Sequence, residues 1–306
     1  MKKNLSRRTA VDRCNGPEGL RPRESAGTIR LSCGTATFSW ANARACLELS
    51  EAAYSKSPHL THHVQAVTNA GTEAQALVFD GPNYIGVAFR GSQSPEDFIH
   101  DAECWLDKTG KRGHALCSGN WNYNGLTAEV HHGFLFDFDS IATDLMATVA
   151  RCLLPKPMKK VFVTGHSLGG ALAVLAAVEF CRQSWNVAGV YTFGQPRVGN
   201  AAFVSVYNHA PAGFPHQLGE ITFRVVNEND IVPRVPVAVP LPFLDGYRHG
   251  GQEIFLCAPN GVLTNPHWWE TADSDSIGFL RAMLKHTDVL VGDHYLAAYQ
   301  KRIQLL

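Results

Sequence analysis

The chain has 306 residues, 45% of them hydrophobic, enough to fill the core of one large α/β domain or two small ones. Its 27 Lys and Arg balance 27 Asp and Glu, which argues against a nucleic-acid binder working through a broad basic field. No apolar run approaches the ~20 residues that span a bilayer; Gly170 to Phe180 is about half of it.

The basic start at Lys2 and Lys3 has no apolar stretch behind it, so no signal peptide is visible. Cytoplasmic residence is the default expectation, with leaderless secretion as the alternative. Residues 1–35 are polar and broken by Gly16, Pro17, Pro22 and Gly27, and read as a poorly ordered arm before a single domain over 36–306. Eight cysteines are scattered without a C-x-x-C pair, which argues against a zinc site. Cys181 reads as a buried free thiol, and Cys104 and Cys117 could bridge a loop in an oxidising compartment.

Asn42 to Ser55 is predicted helical, with Asn42 as its cap and Ala45, Cys46, Leu49, Ala52 and Ala53 at helical spacing. Ala76 to Asp80 and Tyr84 to Phe89, joined at Gly81 to Asn83, read as a β-hairpin. The second strand is apolar almost throughout, as a central strand should be. It ends in Phe89, Arg90, Gly91 and Ser92. A backbone N–H in a loop at this place commonly forms half of an oxyanion hole, and the Ser92 hydroxyl could add a donor.

Ser94 to Trp105 is a short amphipathic segment, placed to act as a lid or to be an ordinary surface helix. Leu106 to Glu129 is rich in Gly and Asn, and the aromatics Trp121 and Tyr123 either line a cleft or anchor a loop. His131 and His132 precede a helix from about Phe136 to Leu154, stopped by Pro155 and Pro157. With no matching ligands nearby, this pair reads as structural rather than metal-binding.

The chain is organised around Val161 to Ala177. A β-branched and aromatic run, Val161 to Thr164, reads as a buried strand, and an Ala/Leu-rich helix runs on to about Arg182. Between them Gly165, His166, Ser167, Leu168 and Gly169 match G-x-S-x-G, the sharp strand-to-helix turn that presents a nucleophilic serine. Gly165 and Gly169 let the turn close, and the Leu168 N–H points at the same spot from the first helical turn. Downstream, Val187 to Phe193 and Glu220 to Val226 read as strands, with a short helix from Ala201 to Asn208. This alternation predicts a mostly parallel sheet covered on both faces.

Asp230 follows a strand and so lies on the sheet edge of the elbow, as the candidate acid. Pro233, Pro236, Pro240 and Pro242 stiffen the next loop. Gln252 to Leu256 reads as a late edge strand, Ser276 to Lys285 as a helix, and a terminal helix follows His294. In the order serine, acid, histidine, the base must be His249, His267, His286 or His294, and pattern alone favours His294 only modestly.

Seven blocks in order resemble the class 3, fungal-type lipase family of the α/β-hydrolase superfamily. They begin at Phe89, Val130, Thr164, Thr192, Arg224, Tyr247 and Asp293, and end at Ser92, Phe134, Ala171, Asn200, Arg234, Gly251 and Tyr299. The resemblance implies an α/β-hydrolase fold with Ser167 as nucleophile, Asp230 as acid and His294 as base. It also implies an oxyanion hole at Ser92 and the Leu168 N–H, a lid after Ser92, and no metal or organic cofactor. The implied substrate is a lipid or other ester, met at an oil–water interface. A short-chain or feruloyl-type esterase and a catalytically silent binding module are the alternatives. The stretch from Leu106 to Glu129 departs from the family in its length and extra aromatics.

Overall fold

The computed structural model describes residues 30–32, 37–55, 63–93, 114–115, 122–123, 126–209, 217–236, 246–257, 260–266 and 292–306. Most of the expected arm, the expected lid segment Ser94 to Trp105, the expected helix Ser276 to Lys285, and Cys104 and Cys117 lie outside these residues.

Helix α1 spans Trp40–Ala52. Its cap is Ser39, whose Oγ accepts from the Asn42 N–H at 3.4 Å, and not Asn42 itself. Asn42 is buried because α1 starts earlier, and its amide instead bridges both main-chain groups of Ser32. Three strands follow, β1 (His63–Thr68), β2 (Gln75–Asp80) and β3 (Tyr84–Phe89), and β2 and β3 make the expected hairpin. Four two-residue strands come next: β4 (His114–Ala115), β5 (Asn122–Tyr123), β6 (Leu126–Thr127) and β7 (Glu129–Val130).

Helix α2 runs over His132–Leu153, a turn earlier than its apolar period predicts, so His132 opens it rather than preceding it. Then come β8 (Lys160–His166), α3 (Leu168–Arg182), β9 (Val187–Phe193), α4 (Ala201–His209) and a single turn, α5 (Leu218–Ile221). The chain continues with β10 (Thr222–Asn227), a 3-10 turn at Val232–Arg234, β11 (Gln252–Cys257), β12 (Gly261–Thr264) and α6 (Leu296–Gln304).

Among the described residues, eight strands form one sheet in the order β1-β2-β3-β8-β9-β10-β11-β12. The pairs from β3 to β11 are parallel, and antiparallel strands flank them on both sides. The expected edge strand β11 is therefore internal. Its Ile254, Phe255 and Leu256 are buried, and β12 folds back to cover the hydrogen bonds an edge would leave open.

Alternation along the strands divides the core. Val161 and Val163 of β8, with Ala76 and Val78 of β2, face a cluster that holds the apolar sides of α2 and α3. Phe162 of β8, with Leu77 and Phe79 of β2, faces a second cluster with α1 and α6. Leu31, from the expected arm, is buried in this second cluster. Helix α3 is nearly all buried, which explains its lack of a polar stripe. Parallel pairing puts the C-terminal ends of β3, β8, β9 and β10 on one edge, where four loops meet.

Candidate active site

Ser167 sits between β8 and α3 at φ +58° and ψ −132°, a backbone state that an L residue keeps only when its surroundings enforce it. The enforcement is visible. The Ser167 N–H donates to the Phe193 carbonyl at 2.9 Å, and the Gly170 N–H donates to the Ser167 carbonyl at 2.9 Å. A Cβ on Gly165 would strike the Gly169 carbonyl, and one on Gly169 would strike the Phe89 carbonyl. These two glycines let helix, elbow and β3 meet backbone to backbone.

Gly91, after β3, is packed the same way: an added Cβ would lie 2.6 Å from the His166 carbonyl and 3.0 Å from the Ser167 Cβ. The next residue, Ser92, is half-buried beside the elbow, and Leu168 opens α3. The two expected oxyanion donors thus come from loops that touch at Gly91.

Asp230 lies after β10 and is fully buried. His294 Nδ1 is 3.0 and 2.9 Å from its two carboxylate oxygens. Oδ1 also accepts the Val232 N–H at 2.9 Å, and Oδ2 accepts the Tyr299 hydroxyl at 2.6 Å. Burial alone would raise the carboxyl pKa, but His294, Tyr299 and the Val232 N–H together hold it below the usual carboxylate value. Asn227 and Asn229 bind the Asp293 carbonyl and carboxylate, both at 3.0 Å, and so tie the Asp230 loop to the His294 loop. The Arg234 guanidinium donates to the carbonyls of Asp230 and Glu228.

Gly194, after β9, brings Ser167 and His294 together. Its neighbour Phe193 binds the Ser167 N–H, and a Cβ on Gly194 would lie 2.8 Å from the His294 ring and 2.7 Å from Asp230 Oδ2. Ser167, Asp230 and His294 are at most 1% exposed. Ser167 Oγ and His294 Nε2 are buried and have no hydrogen-bond partner among the described residues. Two orphaned polar atoms in one water-poor site are costly unless a reacting group uses them.

The other expected residues separate. His249 is half-buried, with Nε2 donating to the Pro233 carbonyl at 2.7 Å, and serves the proline loop. His267 and His286 lie outside the described residues. His131 is buried against Phe134, and burial pushes its pKa down to about 4. Sequence reasoning missed Tyr54, His166 and Tyr299 as members of the site. Tyr299 lay inside a matched block, whereas nothing in the sequence marks Tyr54. A cleft of about 210 Å³ between Tyr54, Ser55, Gln75, Arg90 and Gln93 lies beside these loops and does not include Ser167.

A lipase from Rhizomucor miehei is 33% identical over 223 residues, 70% of this chain and 54% of that protein, so the chain spans about half the length of that relative. A secreted mono- and diacylglycerol lipase from Fusarium solani is 36% identical over 143 residues, 45% of this chain and 39% of the other. Among solved structures, a triacylglycerol lipase whose catalytic centre is described as a serine protease triad superposes with a TM-score of 0.56. It is 28% identical, and the match covers 71% of this chain and 80% of that one. The fold is that of the α/β-hydrolases. The family model for class 3 lipases matches residues 86–239, from within β3 to beyond the acid's loop, and the chain belongs to the class 3 lipase family.

Proposed function

We propose that this protein is a serine carboxylic-ester hydrolase, a triacylglycerol lipase that cleaves acylglycerols through an acyl-enzyme intermediate. One observation carries the reading: a serine held at φ +58° on a strand-to-helix elbow, beside a buried Asp230–His294 pair, with Ser167 Oγ and His294 Nε2 both unpartnered among the described residues. The names of the relatives, lipases for tri-, di- and monoacylglycerols, support the substrate class.

In this reading Asp230 accepts the Nδ1 proton of His294 in a hydrogen bond, which leaves Nε2 bare to act as a base. His294 takes the Ser167 proton as Oγ attacks the ester carbonyl. The Ser92 and Leu168 N–H groups hold the oxyanion, helped by the N-terminus of α3. His294 then returns the proton to the leaving alcohol. Water, deprotonated by the same base, releases the fatty acid and regenerates Ser167. The closed burial of Ser167 means that an ester must displace covering groups to reach Oγ, which suits a site that opens at an oil–water surface.

The test is hydrolysis of p-nitrophenyl esters from acetyl to palmitoyl, below and above their solubility limits, with Ser167→Ala alongside. A rate that climbs with chain length and jumps when droplets form is expected for a lipase. Ser167→Ala should lose about 10⁴-fold or more in kcat. A rate that peaks at short chains and ignores the interface would make the protein an esterase. Equal rates for wild type and Ser167→Ala would refute the hydrolase reading.

A further inference from the structure

We propose that Tyr54 and His166 are positioning residues that tie the nucleophile elbow and the base-bearing loop through a hydrogen-bonded chain, on whose Tyr54 end the oxyanion loop packs. This inference rests on the ester-hydrolase reading above. Tyr54 follows the C-terminus of α1, on the α1–α6 side of the sheet. Its hydroxyl lies 2.8 Å from His166 Nδ1. His166 Nε2 lies 2.6 Å from the His294 main-chain carbonyl. At the other end, Gly91 packs directly on the Tyr54 hydroxyl, which fills the space a Cβ on Gly91 would need.

The acceptor at the end of the chain dictates where every proton sits. The His294 carbonyl can only accept, so His166 Nε2 must carry a proton. A neutral ring protonated on Nε2 leaves Nδ1 bare, and the Tyr54 hydroxyl donates its single proton to it. Only the neutral Nε2–H imidazole fits both neighbours. An imidazolium would put a proton on Nδ1, facing the Tyr54 hydroxyl proton, and the chain would break. Full burial agrees with this, since desolvation pushes the His166 pKa down to about 3.

The chain matters because of what it joins. Gly91 precedes Ser92, His166 precedes Ser167, and the last acceptor belongs to His294 itself. Among the described residues, Ser167 Oγ and His294 Nε2 have no hydrogen bond to hold them in register. Their separation is set by main-chain contacts, and the His166–His294 bond is the side-chain grip across that gap. The two imidazoles stack at 4.5 Å between centroids, tilted by 30°. Tyr54 stops His166 from turning, and through Gly91 it sets the height of the oxyanion loop over the elbow.

The experiment compares wild type, Tyr54→Phe, His166→Gln, His166→Leu and Ser167→Ala on soluble p-nitrophenyl butyrate, with thermal unfolding followed for each. Tyr54→Phe should lower kcat about 10- to 100-fold while KM stays within about threefold, because misplacement penalises the transition state more than binding. His166→Gln keeps a donor for the His294 carbonyl and should retain more kcat than His166→Leu. A Tyr54→Phe variant with wild-type kcat, or with a change in KM alone, would overturn the proposal. Equal kcat for the Gln and Leu variants would also overturn it. If Tyr54→Phe does not fold, nitrogen NMR of His166 in the wild-type protein decides: a proton on Nε2 and a bare Nδ1 are expected, and the reverse tautomer refutes the chain. A wild type no faster than Ser167→Ala would remove the reading on which the proposal rests, while the NMR result would still report on the chain.

Discussion

Asp230 illustrates how a few donors fix the charge of one buried carboxylate. Desolvation opposes ionisation, yet a charge-assisted bond from Tyr299, a main-chain N–H from Val232 and the His294 imidazole together outweigh it. The Tyr299 hydroxyl is held from both directions, since its oxygen accepts the Asn227 N–H at 3.1 Å while its proton goes to Asp230. Tyr299→Phe should therefore cost about 1.5–3 kcal/mol of stability near neutral pH, the range for a bond to a charged group. Urea unfolding measures it, and an unchanged midpoint would contradict the assignment. Because a depressed carboxyl pKa stabilises the fold above its ordinary value and is lost as pH falls through the folded value, the variant should also lose less stability on acidification below about pH 4.

The element that decides whether there is a site at all is the elbow between β8 and α3. Gly169 has no room for a side chain because the β3 carbonyl of Phe89 occupies that space. Gly169→Ala must push the helix from the sheet, and should cost more than about 3 kcal/mol and abolish hydrolysis. Gly292, where an added Cβ meets nothing within 4 Å among the described residues, is the control, and Gly292→Ala should stay within about 0.5 kcal/mol in the same unfolding assay. The strands β8 and β9 and the start of α3 were legible because dense apolar runs are punctuated by Gly165, Gly169 and Gly194. The α1 cap was misplaced because Ser39 and Asn42 are both good caps in sequence, and only burial of Asn42 against Ser32 tells them apart. Strand β11 read as an edge because β12 is four residues long and carries little pattern of its own.

Over the whole molecule, buried histidines make acid the weak side of stability. Burial lowers His166 to about 3 and His131 to about 4, and it carries His249 well below 6.5, helped by Arg224 and Arg197. Each folded value lies below the unfolded one, so the unfolded chain binds protons first. Stability from these groups is complete above about pH 6.5 and falls as pH drops towards 4. Each histidine removes about 1.4 kcal/mol per unit of that descent. Urea midpoints at pH 7.5, 5.5 and 4.5 should decline in that order, and a flat series would show that the three rings are not neutral and enclosed.

What the sequence determined by itself was local or patterned: the parallel α/β alternation, the glycine-bracketed elbow at Ser167, and an acid after a strand at Asp230. These follow from short-range sterics and from the two- and 3.6-residue periods of burial, which are written into neighbouring residues. The choice of His294 over the other downstream histidines was not local and leaned on family resemblance. Tertiary structure alone decided that Tyr299 meets Asp230, that Tyr54 meets His166, and that His166 grips the main chain of His294. These contacts join residues 69, 112 and 128 positions apart. No period links such positions, and only the closing of the sheet edge brings them within hydrogen-bond range.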